Sequence, residues 1–98
     1  MDEARTKDQI QRHAEAVERG DFDTVIADLS EELQPQAPQI AQTLPQPVTS
    51  ATVVSVEIGD DEAVARIHYA GDTKEVTIQS HWRDVDGQPK IVHAAPVD

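Results

Sequence analysis

The chain has 98 residues, no cysteine, and 19 acidic against 8 basic side chains, which gives a net charge of −11. Such a field repels phosphate backbones and disfavours nucleic acid as a partner, and the missing thiols exclude disulfide scaffolds and cysteine nucleophiles. No apolar run approaches the ~20 residues of a membrane span, so we expect one cytoplasmic domain, residues 1–98, that does not contact a membrane.

Helical spacing of apolar residues predicts a first helix over residues 2–19. Ile10, Ala14 and Val17 recur on one side of it, and His13 lies beside them. The apolar stripe is thin, so this helix is expected to pack on another layer through few side chains.

The residues after this helix predict two shorter helices. Gly20 is typical of the left-handed residue that ends a helix, and Asp21 is a suitable N-cap for the next. The second helix, residues 22–29, has apolar residues at i, i+3, i+4 and i+7, so its apolar face must be covered. The Gln- and Pro-rich segment that follows keeps helical spacing over residues 38–43, where we expect a third helix.

Alternation of apolar and polar residues over residues 48–97 predicts a four-stranded antiparallel sheet. In the first strand it places Thr52 and Val54 on the inner face and Val53 on the outer face. Three helices followed by four strands predict an α+β fold with the helices on one face of the sheet.

Two hairpin turns fix the expected register. Gly71-Asp72 predicts a two-residue loop between the second and third strands. Asp86-Gly87 predicts a type I′ turn before the fourth strand, which places Trp82 inside and Ser80 opposite His93. A three-residue loop with a bulge at the glycine is the alternative, and it would turn His93 outward.

The order of elements and several short motifs resemble the nuclear transport factor 2-like superfamily, an α+β cone. The motifs are the link Gly20-Asp21-Phe22-Asp23 between two helices, the acidic, Leu-rich turn after the second helix, and the hairpin from His81 to Ile91. Larger members insert a strand pair before the third helix, for which this chain has no room. The resemblance implies a reduced cone with a small pocket, homodimers formed through the outer sheet face, and functions from isomerase-like and polyketide cyclase-like enzymes to inert binding modules.

The inner sheet face and the helices are expected to form a pocket for a small apolar ligand. The residues predicted to line it are Thr52, Tyr69, Ser80, Trp82 and His93. His93 is a candidate general base near neutral pH, and Tyr69 a candidate donor to a developing oxyanion. A half-buried His or Tyr in a small domain is more often a hydrogen-bonded core residue, so a structural role is favoured for both.

The four histidines do not predict a metal site. His68 and His81 fall on the outer face, His13 on a helix and His93 inside, so three ligands do not converge. Ser80 lacks the strained turn of a serine nucleophile, and no acid is assigned behind His93, which disfavours a catalytic triad. We therefore expect neither a metal nor a cofactor.

The outer sheet face is the predicted homodimer interface. Hydrophobic residues make up 38% of the chain and aromatic residues 3%, so the core is lean and a shared interface is favoured over an ordinary solvated face. The residues expected there are Val53, Val64, Arg66, His68, Thr77, Gln79, His81 and Val92.

Three functions remain open from the sequence. The favoured one is a non-catalytic or weakly catalytic module that binds a small apolar ligand or simply dimerises. The second is a small isomerase, cyclase or hydratase that uses His93 and Tyr69. The third is an adaptor whose acidic helices bind another protein. An open cavity with a free His93 would favour the enzyme.

Overall fold

The computed structural model describes residues 1–97 as an α+β fold, in which N-terminal helices precede a four-stranded antiparallel sheet of order β1-β2-β3-β4. The helices are α1 (Glu3–Arg19), α2 (Phe22–Ala27) and α3 (Ala37–Gln42), with a 3-10 turn at Gln34–Gln36. The strands are β1 (Ser50–Ile58), β2 (Ala63–Ala70), β3 (Glu75–Val85) and β4 (Gln88–Pro96). Within residues 1–97, no helix is long and apolar enough to cross a membrane.

The ends of α1 follow from its capping residues. The Asp2 side chain accepts a hydrogen bond from the Arg5 backbone N–H at 2.9 Å, and Gly20 ends the helix with φ of 75°. The second helix is shorter than predicted, because the chain leaves it at Ala27 and Leu29 then forms a parallel bridge with Ile91 of β4. That bridge attaches the end of α2 to the sheet.

The loop between β2 and β3 has four residues, so the predicted two-residue loop is wrong. Ala70 pairs with Glu75, and the Gly71 N–H donates to the Lys74 carbonyl at 2.9 Å. The register moves by two residues, which keeps every side chain on its predicted face. Position 71 has no room for a side chain, since a Cβ there would lie 2.5 Å from the Cβ of Pro45, and this explains the glycine.

A bulge in β1 reverses the predicted faces of its first half. Val53 pairs with Ile67 and Ser55 with Arg66, so Val54 is the extra residue. Val53 therefore packs against the core, while Thr52 is exposed on the outer face. The sequence analysis placed Thr52 on the inner face and Val53 on the outer face, and both positions are wrong.

A second bulge, in β4, displaces His93. The two-residue turn is confirmed, because Asp86 and Gly87 have φ of 53° and 84° and Trp82 pairs with Ile91. The next pair is His81 with His93, which leaves Val92 as the extra residue. His93 is therefore exposed on the outer face, and its predicted inward position is wrong.

The core lies between α1 and the inner sheet face, around Trp82. This side chain is 0% exposed, and its Nε1–H donates to Ser80 Oγ at 2.8 Å. The ring of His13 meets it edge-on with centroids 5.4 Å apart. Other buried core residues are Ile10, Ala14, Val17, Ala63, Ala65, Ile67 and Ile91.

Candidate functional site

A cavity of about 350 Å³ lies between the helices and the inner sheet face. Its walls are mostly apolar and include Val25, Leu29, Ile40, Leu44, Ile67 and Ile78. Phe22 and Ile26 also line it while 44% and 39% exposed, so they lie on its solvent side. The sequence analysis expected the apolar face of α2 to be covered by other residues. In the structure this face is instead partly open to the cavity.

The cavity wall carries four polar side chains and no acidic or basic one other than histidine. They are His13, Gln34, Tyr69 and Ser80. Gln34 Nε2 donates to the carbonyl oxygens of Ile26 at 3.4 Å and Leu29 at 3.3 Å. With no Lys or Arg on the wall, a neutral molecule suits the cavity better than an anion.

A buried hydrogen-bonded pair, His13 with Asp28, supports one part of this wall. His13 Nδ1 lies 2.9 Å from Asp28 Oδ2, and the two residues are 6% and 5% exposed. The other carboxylate oxygen accepts from Gln9 Nε2 at 2.7 Å. Because an ionised carboxylate only accepts hydrogen bonds, the hydrogen between the two side chains belongs to His13 Nδ1.

The backbone holds both members of this pair. Gln9 and His13 are four residues apart on α1 and so share one face of the helix. Asp28 follows α2, and its carbonyl oxygen accepts from the Ile91 N–H of β4 at 2.8 Å. The carboxylate is thus positioned by a helix on one side and by the sheet on the other.

His13 and Tyr69 both line the cavity, and Nε2 of the first and the hydroxyl of the second make no hydrogen bond to another side chain or backbone group of residues 1–97. Among residues 1–97, no buried side-chain nitrogen or oxygen lacks a hydrogen-bond partner. His13 bonds within the protein through Nδ1, and both residues line the cavity. Their remaining polar atoms are therefore available to a molecule that occupies it.

Tyr69 is held neutral by its surroundings. It is buried on the inner face of β2, where it pairs with Ala51 and Val76. Burial raises the pKa of the Tyr69 phenol well above its ordinary value, because the phenolate is poorly solvated there. The phenol therefore stays protonated, and its hydroxyl keeps its capacity to donate a hydrogen bond.

We expect Tyr69, the one tyrosine of the chain, to make stability fall at alkaline pH. Its pKa is higher in the folded state than in the unfolded chain, so its contribution is complete below about pH 10 and is lost progressively above that value. Urea melts between pH 8 and 11 should show a smaller decline for Tyr69→Phe than for the wild type. A reversible phenolate absorbance change near pH 10 in the folded protein would contradict this.

The structure brings only part of the predicted pocket together. Tyr69 and Ser80 line the cavity, and Trp82 packs behind the wall. Thr52 and His93 lie on the outer face, so neither reaches the cavity. Their predicted positions on the inner face are wrong, because the bulges in β1 and β4 turn them outward.

The cavity histidine and its acid were not identified from the sequence as site residues. His13 occupies a core position of the α1 stripe, between Ile10 and Val17. A polar side chain at such a position requires a hydrogen-bond partner. The histidine within the apolar stripe was therefore the feature of the sequence that indicated a buried partner. The partner, Asp28, is 15 residues away, and only the packing of α1 against the end of α2 brings the two together.

The outer face holds hydrogen-bonded polar pairs. His68 Nε2 lies 2.8 Å from Glu75 Oε1, and Arg66 donates to Gln79 Oε1 at 2.9 Å. His81 Nδ1 lies 2.8 Å from Glu62 Oε1, and this hydrogen bond lowers the pKa of the Glu62 carboxyl. Over residues 1–97, no group of three or more His, Asp or Glu converges as a metal site.

Comparison with known proteins supports the fold. No protein-family model and no curated protein sequence matches the chain. Its structure is similar to the solution structure of a SEC-C motif containing protein from Rhodopseudomonas palustris, with a TM-score of 0.66 and 13% identity over 92% of this chain and 77% of that chain. At this identity the likeness concerns the fold alone.

Proposed function

We propose that this protein is a binding module whose cavity takes a small, neutral, largely apolar molecule. The observation that carries the proposal is the cavity itself, an apolar space of about 350 Å³ with a few polar groups on its wall. Small-molecule sites have this composition and volumes of roughly 300–1,000 Å³. The Tyr69 hydroxyl suits an accepting oxygen of the ligand, and His13 Nε2 suits a donor.

We also propose that the chain is a short member of the nuclear transport factor 2-like superfamily, with three helices on a reduced cone. Support comes from the order of elements, in which α1, α2 and α3 all precede the sheet. The segment between α2 and α3 contains one 3-10 turn, at Gln34–Gln36, where larger members of that superfamily have a strand pair.

A cavity-filling variant tests the binding function. Ala41 lines the cavity, so Ala41→Phe should occupy it and weaken ligand binding at least about tenfold, which is about 1.4 kcal/mol. The measurement is an NMR titration with neutral ketones and alcohols of increasing size, with a fatty acid for comparison. Ala4→Phe, at an exposed position on α1, is the matched control and should bind as the wild type does.

Two results would count against the binding function. The first is the absence of any shift at cavity residues with every compound of the series. The second is equal weakening by the two phenylalanine variants, because that would place the bound compound outside the cavity. A preference for the fatty acid would instead contradict the neutral ligand class.

We further propose that the protein forms a homodimer through the outer sheet face. Val54, 60% exposed at the β1 bulge, supports this, because a second copy of the chain packed on this face would bury its apolar side chain. Sedimentation equilibrium at micromolar concentration should show a dimer for the wild type and a shift towards monomer for Val54→Lys. Ala4→Lys, at an exposed position on α1 and away from the outer sheet face, is the control. A monomeric wild type would overturn the proposal.

A further inference from the structure

We propose that His81 and His93 form half of a zinc site on the outer sheet face, and that the same pair from a second copy of the chain completes it. The inference rests on the proposed homodimer, because the second copy must pack on this face. Imidazole nitrogen is a suitable ligand for zinc. Within one chain the pair supplies two ligands, and residues 1–97 hold no converging group of three, so the site is incomplete without the second copy.

The bulge at Val92 brings the two histidines together. It turns His93 onto the outer face and makes it the direct partner of His81 on the neighbouring strand. Directly opposed residues of antiparallel strands point to the same side of the sheet, with Cβ atoms about 4.5–5.5 Å apart. His93 is exposed and the His81 side chain is 28% exposed, so both rings can be reached from solvent.

The distance between the two rings fits coordination of one ion. Their centroids are 5.6 Å apart, and the ring planes are inclined by 54°. Two imidazoles bound to one tetrahedral zinc, with Zn–N distances of about 2.0–2.1 Å, have ring centroids about 5 Å apart. Because His93 is exposed, a small rotation of its ring brings the pair from the observed distance to that value.

The surroundings of His81 are those of a metal-binding imidazole. Its Nδ1 lies 2.8 Å from Glu62 Oε1, and this hydrogen bond holds the pKa of the Glu62 carboxyl below its usual value. An ionised carboxylate only accepts, so the hydrogen belongs to Nδ1 and a metal binds through Nε2. Arg83 Nε donates to the other oxygen of Glu62 at 3.4 Å. A carboxylate behind the ring fixes the orientation of metal-bound histidines in the same way.

The second copy supplies the remaining ligands. Zinc in structural sites is almost always four-coordinate and tetrahedral. In an isologous dimer both copies present the same patch, so a two-fold axis beside His81 and His93 brings four imidazoles to one ion. The net charge of −11 makes two copies of the chain repel each other, and a shared cation offsets part of that repulsion.

Glu62→Gln tests the role of Glu62 as a positioning residue. This variant should weaken zinc binding by about 10–100-fold, as loss of a carboxylate behind a ligating histidine does. Its melting temperature in EDTA should stay close to that of the wild type, because His81 and Arg83 are both partly exposed to water. Equal zinc affinity of the two proteins would contradict the orientation of His81 by Glu62.

Sedimentation equilibrium of the full chain without an affinity tag, in EDTA and in zinc chloride, tests the shared site, and isothermal titration calorimetry gives the stoichiometry. We expect one zinc ion per two chains and a dimer Kd at least about tenfold lower with zinc than with EDTA. His93→Gln should abolish this effect of zinc. His68→Gln is the matched control, because it removes an imidazole of the same face that bonds to Thr77 and Glu75, and it should respond to zinc as the wild type does.

The outcomes separate the zinc site from the proposed homodimer. A dimer of equal strength in EDTA and in zinc overturns the inference and leaves the homodimer intact. A monomer in both solutions overturns the two together. One zinc ion per chain overturns the shared site, and an unchanged response to zinc in His93→Gln does so as well, since the ion would then be bound elsewhere.

Discussion

Replacing Trp82 with alanine should lower the free energy of unfolding by about 3–5 kcal/mol, as truncation of a large core aromatic side chain does. The side chain is 0% exposed and packs between α1 and β4, against His13 and Ile91. Its removal also takes away the Nε1–H donor to Ser80 Oγ. A cavity would open at the centre of the core, beside the candidate site.

Urea denaturation followed by circular dichroism measures this loss, since the variant has no tryptophan to report by fluorescence. Val85→Ala is the control on the same strand, because Val85 is 38% exposed and its truncation should cost under about 1 kcal/mol. A similar small loss for Trp82→Ala would mean that the inner face of β3 is not the packed one.

The alternation of residues was enough to predict the sheet and most of its faces, and the two bulges show where that signal fails. In β1, Val53 and Val54 are adjacent valines, so either one can face the core without changing the number of apolar side chains on the inner face. In β4, Ala94 and Ala95 are equivalent in the same way. A pattern of period two cannot locate an extra residue between two equally apolar neighbours.

The loop between β2 and β3 escaped prediction for a related reason. A shift of two residues leaves each side chain on its face, so the pattern fits Ala70 with Thr73 as well as it fits the observed pairing of Ala70 with Glu75. What decides between them is the close approach of Pro45 to Gly71, a contact between segments distant in the sequence.

Only part of the candidate site could be predicted, because its residues come from different layers of the fold. Tyr69 and Ser80 follow from strand alternation, and both line the cavity. The pairing of His13 with Asp28 depends on how two helices pack, and neither helix pattern contains that information. A histidine within an apolar stripe indicates a buried partner without identifying it.

Asp28→Ala is expected to be the other severe substitution, with a loss of about 2–5 kcal/mol. The carboxylate accepts from the buried His13 Nδ1 and from the partly buried Gln9 Nε2. A buried donor left without an acceptor costs about 1–3 kcal/mol, and a lost hydrogen bond to a charged group about 1.5–3 kcal/mol. Glu31→Ala, at an exposed acid just after the same turn, is the matched control and should change stability by less than about 0.5 kcal/mol.

A double-mutant cycle distinguishes the hydrogen bonds from simple loss of packing at Asp28. His13→Phe removes the orphaned donor and keeps a ring against Trp82, so Asp28→Ala should cost less in that background than in the wild type. Contacting polar pairs of this kind show coupling energies of about 0.5–3 kcal/mol. Additive losses would mean that the two side chains do not interact in the folded protein, and the orientation of His13 towards the cavity would then lose its physical cause.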